Sequence, residues 1–396
     1  MIRMPLSSEI FVVGSESVLA AASDVVAVPF DDKLVDYLDR VSKRLLKNVA
    51  AKRYPDVITF AFWCRKASAL KLRQSYDGLR GRLGRGLVFH IAPSNVPVNF
   101  AYSLAASLLA GNANVVRVPS KGFEQVDIIG KALETELDDA LRPFVCLIRY
   151  GHDQSITDHL SALCDTRIIW GGDSTIAQIR TSPLKPRATE IAFSDRYSIC
   201  VINADAYLAN TDRSKVAADF YNDTYLTDQN ACTSPKLIVW LGHRVAQARD
   251  LFWSRLHELV KRKYEMQPIQ AVSKYVNLCR QAIKNPCLKV VCMPDNLVTR
   301  AEAVQLTRTL IEDNGNSGYF MEYVADSLDQ LLPVCTRECQ TLAYFGVNTE
   351  ELEALVMTYR PKGIDRIVPI GNTMDFSLVW DGYDLIHSLT RQISVG

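Results

Sequence analysis

Residues 31–49, DDKLVDYLDRVSKRLLKNV, set apolar side chains at Leu34, Tyr37, Leu38, Val41, Leu45 and Val49, the period of an amphipathic helix. Its acidic start at Asp31 and Asp32 and its basic end suit the helix dipole. A short strand over Ile10–Val13 precedes it. From Gly86 the pattern changes. GLVFHIAP is a continuous apolar run of strand length, VPVNFAYSLAASLLAG a helix opened through Pro97 and closed by Gly111, and NVVRVPS the next strand. FVCLIRY, a helix over Thr157–Leu163, TRIIWGG and a helix from Ser174 repeat the scheme.

Uninterrupted apolar strands alternating with helices predict an α/β fold, a Rossmann-type parallel sheet covered on both faces. Such sheets bind ligands at the carboxyl ends of their strands. A second α/β region follows Cys232: strand KLIVWLG, helix RVAQARDLFWSRLHELVKRKY, strand LKVVCMP and shorter elements to about Gly371. The tail TMDFSLVWDGYDLIHSLTRQISV reads as strand, then helix, and an apolar tail of this kind docks rather than hangs loose. The expected division is one α/β domain over 1–205, a second over 206–372 and a docked tail over 373–396.

Net charge is +1, from 45 basic and 44 acidic residues, so nothing draws the chain as a whole to nucleic acid or anionic lipid. No apolar run reaches the roughly 20 residues that span a bilayer. The ten cysteines form no CxxC and no zinc-finger spacing, so no metal site is expected, and a reducing cytoplasm fits them. Cys64, Cys146, Cys164, Cys200, Cys287 and Cys292 lie in apolar or mixed runs, where a thiol packs as a small hydrophobe.

Cys232 differs. In TDQNACTSPKLIVW it stands at a polar turn before a buried strand, with Gln229, Asn230, Thr233 and Ser234 as potential donors to an oxyanion. In APSNVPVNF, Asn95 either caps the helix that follows or offers its amide to an oxyanion. VVRVPSK ends its strand with Arg117, Ser120 and Lys121, where a site reading an unphosphorylated ribose places an acid; two cations and a hydroxyl suit a 2′-phosphate instead. Gly171 and Gly172 in IIWGGDST open a helix whose amides suit a phosphate. Glu190, in RATEIAF, and Glu338, in RECQTLAYF, are the candidate bases.

These motifs, in this order, resemble the aldehyde dehydrogenase superfamily. More closely, GLVFHIAPSNVPVNFAYSLAASLLAGNANVVRVPSK, DRYSICVINAD, TDQNACTSPKLIVW and GIDRIVPIG with DFSLVWDGYDLI resemble the LuxC family. That family comprises the acyl-CoA reductase subunit of the bacterial bioluminescence fatty-acid reductase complex and its relatives. The likeness runs from about residue 80 to the end. It implies that Cys232 is the nucleophile, and that Asn95 matches the oxyanion asparagine of the superfamily's PWNFP. Glu190 resembles the basic glutamate of ELGG, where this chain has EIAF. Arg117 and Ser120 fall where the superfamily meets the adenosine ribose, Gly171 and Gly172 near its FTGS phosphate turn, and Glu338 resembles the nicotinamide-ribose glutamate of EIFGP.

The implied activity is NADPH-dependent reduction of a fatty acyl thioester, acyl-CoA or acyl-protein, to the aldehyde through acyl-Cys232. The implied partner is an acyl-protein synthetase, and the implied assembly a homo-oligomer. GLRGRLGRG (78–86) holds the approximate place of the superfamily's oligomerisation hairpin. Two other readings stay open: an NAD(P)-dependent aldehyde dehydrogenase working oxidatively, which needs an active base beside Cys232, and a non-catalytic docking protein for an acyl-transfer partner.

Overall fold

A computed structural model describes residues 6–292, 295–311 and 315–395. The chain divides into two compact units, one of residues 1–194 with 377–396, the other of residues 195–376.

The first unit holds strands β1 (Phe11–Val13), β2 (Arg82–Gly84), β3 (Leu87–Ile91), β4 (Ala113–Arg117), β5 (Val145–Ile148), β6 (Thr166–Trp170) and β7 (Thr189–Phe193). Six form a sheet in the order β1-β5-β4-β3-β6-β7, parallel except for the antiparallel edge pair β1–β5. The chain winds outward from β3 in one direction through β4 and β5, and in the other through β6 and β7. Because parallel crossovers are right-handed, helices Asn99–Leu109 and Glu124–Glu136 cover one face and Gln154–Leu163 and Asp173–Ile179 the other. Strand β3 shows why its run is uninterrupted: Leu87, Phe89 and Ile91 pack with Ile156, Leu160 and Ile176, whereas His90 on the opposite face meets Ser103. The reversal beside β3 is the switch point at which doubly wound sheets take ligands.

The helix Asp32–Lys47 buries Leu34, Tyr37, Leu38, Val41 and Leu45 as its period requires. Val49 does not follow: the helix stops at Lys47, Asn48 turns extended, and Val49 is 80% exposed.

The second unit holds β8 (Tyr197–Asn203), β9 (Pro235–Leu241), β10 (Lys289–Cys292), β11 (Thr299–Glu302), β12 (Tyr319–Val324), β13 (Cys339–Phe345) and β14 (Arg366–Pro369). They form one sheet, β10-β11-β12-β9-β8-β13-β14, parallel except at β10–β11. Both faces are buried. Ile199, Val201, Leu237 and Val239 face one core; Cys200, Ile202, Ile238 and Trp240 face the other, where Phe220, Phe252 and Trp253 stack edge to face. Alternate side chains of a strand point to opposite faces, so a strand covered on both sides has no polar face to keep.

After Phe376 the chain is again part of the first unit. β15 (Val379–Trp380) and β16 (Tyr383–Asp384) make a hairpin through Asp381 and Gly382, both at positive φ (49° and 76°), the turn that Asp-Gly favours. β17 (Thr390–Gln392) then pairs antiparallel with β2, and the Arg82 guanidinium donates to Thr390 Oγ1 and to the His387 carbonyl. Thus the GLRGRLGRG segment finds a partner strand in its own chain.

Candidate active site

In the first unit the expected cofactor residues gather at the carboxyl edge of the sheet. Asn95 is exposed in the turn after β3. The helix beyond it starts at Asn99 with Val98 at the cap position and no side-chain cap bond, so Asn95 does not cap it. Arg117, the last residue of β4, donates to the Gly151 carbonyl (2.7 Å) and lies over the Tyr150 ring at 4.6 Å. These contacts fix the guanidinium along the sheet edge. Ser120 and Lys121 are exposed just beyond it, and Lys121 lies 5.3 Å from the Phe123 ring centroid. The nearby carboxylate of Glu124 is turned to Arg53 and to the Tyr54 hydroxyl (2.5 Å).

Gly171 follows β6, and a Cβ there would come 3.2 Å from the Thr175 side chain. Gly172 is the cap residue of helix Asp173–Ile179. A guanidinium, an ammonium and a hydroxyl beyond β4, with a glycine turn beyond β6, are a donor set that fits an anionic dinucleotide.

Glu190 is placed elsewhere. It sits early in β7, opposite Arg167 of β6 in register. One carboxylate oxygen accepts from Arg167 Nε (2.8 Å) and Nη2 (2.5 Å), the other from Arg180 Nε (2.7 Å). Arg167 is itself buried and also donates to Ser161 Oγ and the carbonyls of Ile179 and Ser182. This is an ion-paired cluster that ties two strands to the end of a helix.

In the second unit the candidate residues lie at the amino edge of the sheet. Cys232 precedes β9 and Glu338 precedes β13, and β8 runs between those two strands. The first two residues of β8 reach both sides: Tyr197 N–H donates to the Glu338 carbonyl (2.9 Å), and Ser198 Oγ donates to the Cys232 carbonyl (2.7 Å). The Glu338 carboxylate accepts from Thr336 Oγ1 (2.6 Å), which holds it below the usual carboxylate range with help from Arg308.

The turn carrying Cys232 is built by the polar residues beside it. Asp228 and Gln229 are both left-handed (φ 51° and 57°), a conformation that costs non-glycine residues about 1–3 kcal/mol each. The buried Gln229 amide offsets it, donating to the carbonyls of Pro235 and Tyr319 and accepting from the N–H groups of Gly318 and Tyr319. Asn230 accepts from Asn316 Nδ2 (2.6 Å), Thr233 Oγ1 meets Met374 Sδ (3.2 Å), and Ser234 Oγ meets Thr227 (3.4 Å). Of the four residues expected as oxyanion donors, Gln229 has its whole amide engaged, and Asn230, Thr233 and Ser234 each meet a neighbouring side chain through one side-chain oxygen.

Cys232 is half-buried and in no disulfide. Cys64, Cys146, Cys164 and Cys200 are buried, and burial pushes Cys146 and Cys164 up to about 12, so these thiols stay neutral. Cys287 departs from its expected packing role and is exposed; the side chain of Cys292 lies outside the described residues. One functional candidate carries no local signal in the sequence. Lys236, inside the apolar run KLIVWL, is buried behind the Cys232 turn.

The fold is that of solved aldehyde dehydrogenases. It is similar to a lactaldehyde dehydrogenase (TM-score 0.70, 13% identity, 96% of this chain and 90% of that one). It is likewise similar to the NAD-dependent benzaldehyde dehydrogenase from Corynebacterium glutamicum (TM-score 0.66, 16% identity, 96% and 87%). No curated protein sequence matches. The acyl-CoA reductase (LuxC) family matches over residues 65–392, and the chain belongs to that family. It is an oxidoreductase of the aldehyde dehydrogenase fold whose family implies a nicotinamide cofactor. Among the described residues no helix is long and apolar enough to cross a membrane, and no group of acids, histidines and cysteines is arranged to hold a metal.

Proposed function

We propose that the protein reduces a fatty acyl thioester to the aldehyde through an acyl-Cys232 intermediate, with NADPH as reductant. The observation that carries the reading is Cys232 itself. It is a half-buried thiol on a strained turn at the edge of a buried sheet, in a family of acyl-CoA reductases. The Cys232 thiolate attacks the thioester carbonyl; the oxyanion collapses and expels the donor thiolate, leaving acyl-Cys232. Asn95, free of any capping duty, supplies its amide to that oxyanion. Bound reduced nicotinamide supplies the hydride that takes the thioester to the aldehyde level.

Arg117, Ser120 and Lys121 would hold the 2′-phosphate of the adenosine ribose, Gly171 and Gly172 its diphosphate, and Glu338 the nicotinamide ribose. Glu190, held by two arginines, has no proton-transfer part in this reading. A base that activated water would hydrolyse the acyl-enzyme, so a reductase is served by a carboxylate locked in a structural pair. That engagement also disfavours the oxidative alternative. The acyl donor is acyl-CoA or an acylated synthetase partner, and the assembly a cytoplasmic homo-oligomer.

Intact-protein mass spectrometry after mixing with acyl-CoAs of several lengths tests the reading. One acyl mass should appear on the wild type and none on Cys232→Ser; a serine variant that reduces acyl-CoA at the wild-type rate would refute it. Charge-assisted bonds to a phosphate contribute about 1.5–3 kcal/mol, so NADPH should be preferred over NADH by roughly tenfold to a hundredfold. Arg117→Ala should raise KM for NADPH more than for NADH.

A further inference from the structure

Lys236 is the fourth residue after the nucleophile and the second of β9. Its side chain does not run outward to water. The ammonium donates to the Gln229 carbonyl, to Asn316 Oδ1 and, at 3.4 Å, to the Gly315 carbonyl. An ammonium has three donors and no acceptor, so three oxygens around it match the protonated form. Those oxygens come from two places in the sequence: the turn that presents Cys232 and the loop before β12. Asn316 closes the link by donating through Nδ2 to Asn230 Oδ1 (2.6 Å), so the two loops are joined through both ends of one amide.

We propose that Lys236 is a positioning residue for the nucleophile: its buried ammonium clamps the Cys232 turn to the Gly315–Ser317 loop and lends positive charge to the Cys232 sulfur. The proposal rests on Cys232 being the nucleophile. Two independent features support it. The clamp grips Gln229 through its carbonyl, the residue whose left-handed backbone aims the turn. The ammonium is buried under the same turn that carries Cys232, three residues on from the Gln229 carbonyl it grips; burial pulls Lys236 down to about 7 and Cys232 acts to raise it.

The coupling is mutual. Whatever a thiolate does to keep Lys236 charged, the charged Lys236 does to keep the thiolate ionised. Lys274 donates to the Ser317 carbonyl of the clamped loop (3.0 Å), and the acids near the turn have partners of their own. Asp228 accepts from the Tyr264 hydroxyl (2.6 Å), and Asp223 accepts from the N–H groups of Gly371 (2.6 Å) and Thr373 (3.1 Å), beneath the loop that carries Met374. Tyr319 is buried at the start of β12.

The test is the pH profile of Cys232 alkylation by iodoacetamide, read at that residue by peptide mapping, in the full-length protein. Lys236→Gln keeps donors but removes the charge, and Lys236→Arg keeps the charge. Asn316→Asp keeps the oxygen that Lys236 grips and sets a carboxylate against the ammonium, at the loss of the Nδ2 bond to Asn230 Oδ1. The inflection should move up by about one pH unit in Lys236→Gln and in Asn316→Asp, which lowers alkylation at neutral pH roughly tenfold, and Lys236→Arg should restore most of it.

An unshifted inflection in Asn316→Asp, or in a folded Lys236→Gln, would overturn the proposal, because a purely structural lysine would change melting temperature and leave the profile alone. Alkylation does not need the acyl transfer. A shifted profile in a protein that never becomes acylated would therefore count against the proposed function and not against the role of Lys236.

Discussion

Asn95 and His90 sit five residues apart and answer to different physics. Asn95 caps nothing, so Asn95→Asp should leave the melting temperature unchanged. In the proposed mechanism it would set an acceptor and a negative charge where negative charge develops, and losing one oxyanion donor typically costs about 2.7–4 kcal/mol of barrier. Acylation of Cys232 in single-turnover assays should therefore slow at least roughly a hundredfold; a variant that acylates normally would exclude Asn95 from the oxyanion site. His90 is a packing residue, buried between Ser103 Oγ (2.8 Å) and Asn114 Oδ1 (3.0 Å), and burial pulls it down to about 4. Unfolded, it titrates near 6.5, so its stabilising contribution is whole above that pH, declines as pH falls from about 6.5 to about 4, and then stays constant. The loss amounts to roughly 3 kcal/mol, at about 1.4 kcal/mol per unit. Asp223, raised to about 6 by burial, acts in the opposite sense over an overlapping range. The measurement is therefore the difference in melting temperature between wild type and His90→Gln, which should shrink as the solution is acidified from pH 7 to 4.

The helix Pro268–Lys284 inverts the usual amphipathic rule. Lys274 and Gln281 are buried, whereas Ile269, Val272, Val276 and Ile283 are exposed. The inward polar groups have fixed partners: Lys274 Nζ donates to the carbonyls of Asn296 and Ser317, and Gln281 Nε2 to that of Leu310 (3.2 Å). These bonds tie the helix to the chain flanking β11 and β12. Removing a buried donor leaves its acceptors without a partner, at about 1–3 kcal/mol, while surface substitutions usually stay within about 0.5 kcal/mol. Lys274→Met should therefore lower the denaturation midpoint and Val272→Ser should not, although hydropathy alone ranks them the other way. Equal midpoints for Lys274→Met and wild type would show that the buried bonds contribute nothing net.

At the scale of the whole chain, the first unit is assembled from both ends of the sequence and the second from one continuous stretch. Strand β2 has its partner at β17, about three hundred residues later, and Asn112 Nδ2 donates to the Leu389 carbonyl (3.0 Å). Ending the chain after Phe376 removes those bonds and the hairpin β15–β16, while both cores of the second unit remain whole. Thermal unfolding of the truncated protein should separate into two transitions, with the first unit melting earlier. Limited proteolysis should cut within residues 1–194 and spare 195–376. A single unshifted transition would show that the tail is dispensable.

Much of this protein was legible along the chain. The apolar runs from Leu87 to Leu241 became strands because burial on both faces leaves a local signature, and Cys232 announced itself as a thiol among polar residues ahead of such a run. Asn95, Arg117, Ser120 and Lys121 were placed at the carboxyl edge by the order of strand and helix alone. What the tertiary structure decided were pairings between distant residues. Glu190 read as a candidate base, since nothing in RATEIAF reveals Arg167 and Arg180 closing on both its oxygens. Gln229 read as an oxyanion donor until the chain before β12 took up its amide. Lys236 read as part of a buried strand, because the three oxygens that make room for its charge come from Gln229, Gly315 and Asn316. Hydrophobic pattern records what one residue needs of its surroundings. A buried charge is settled by its partners, and those are fixed only when the chain has folded.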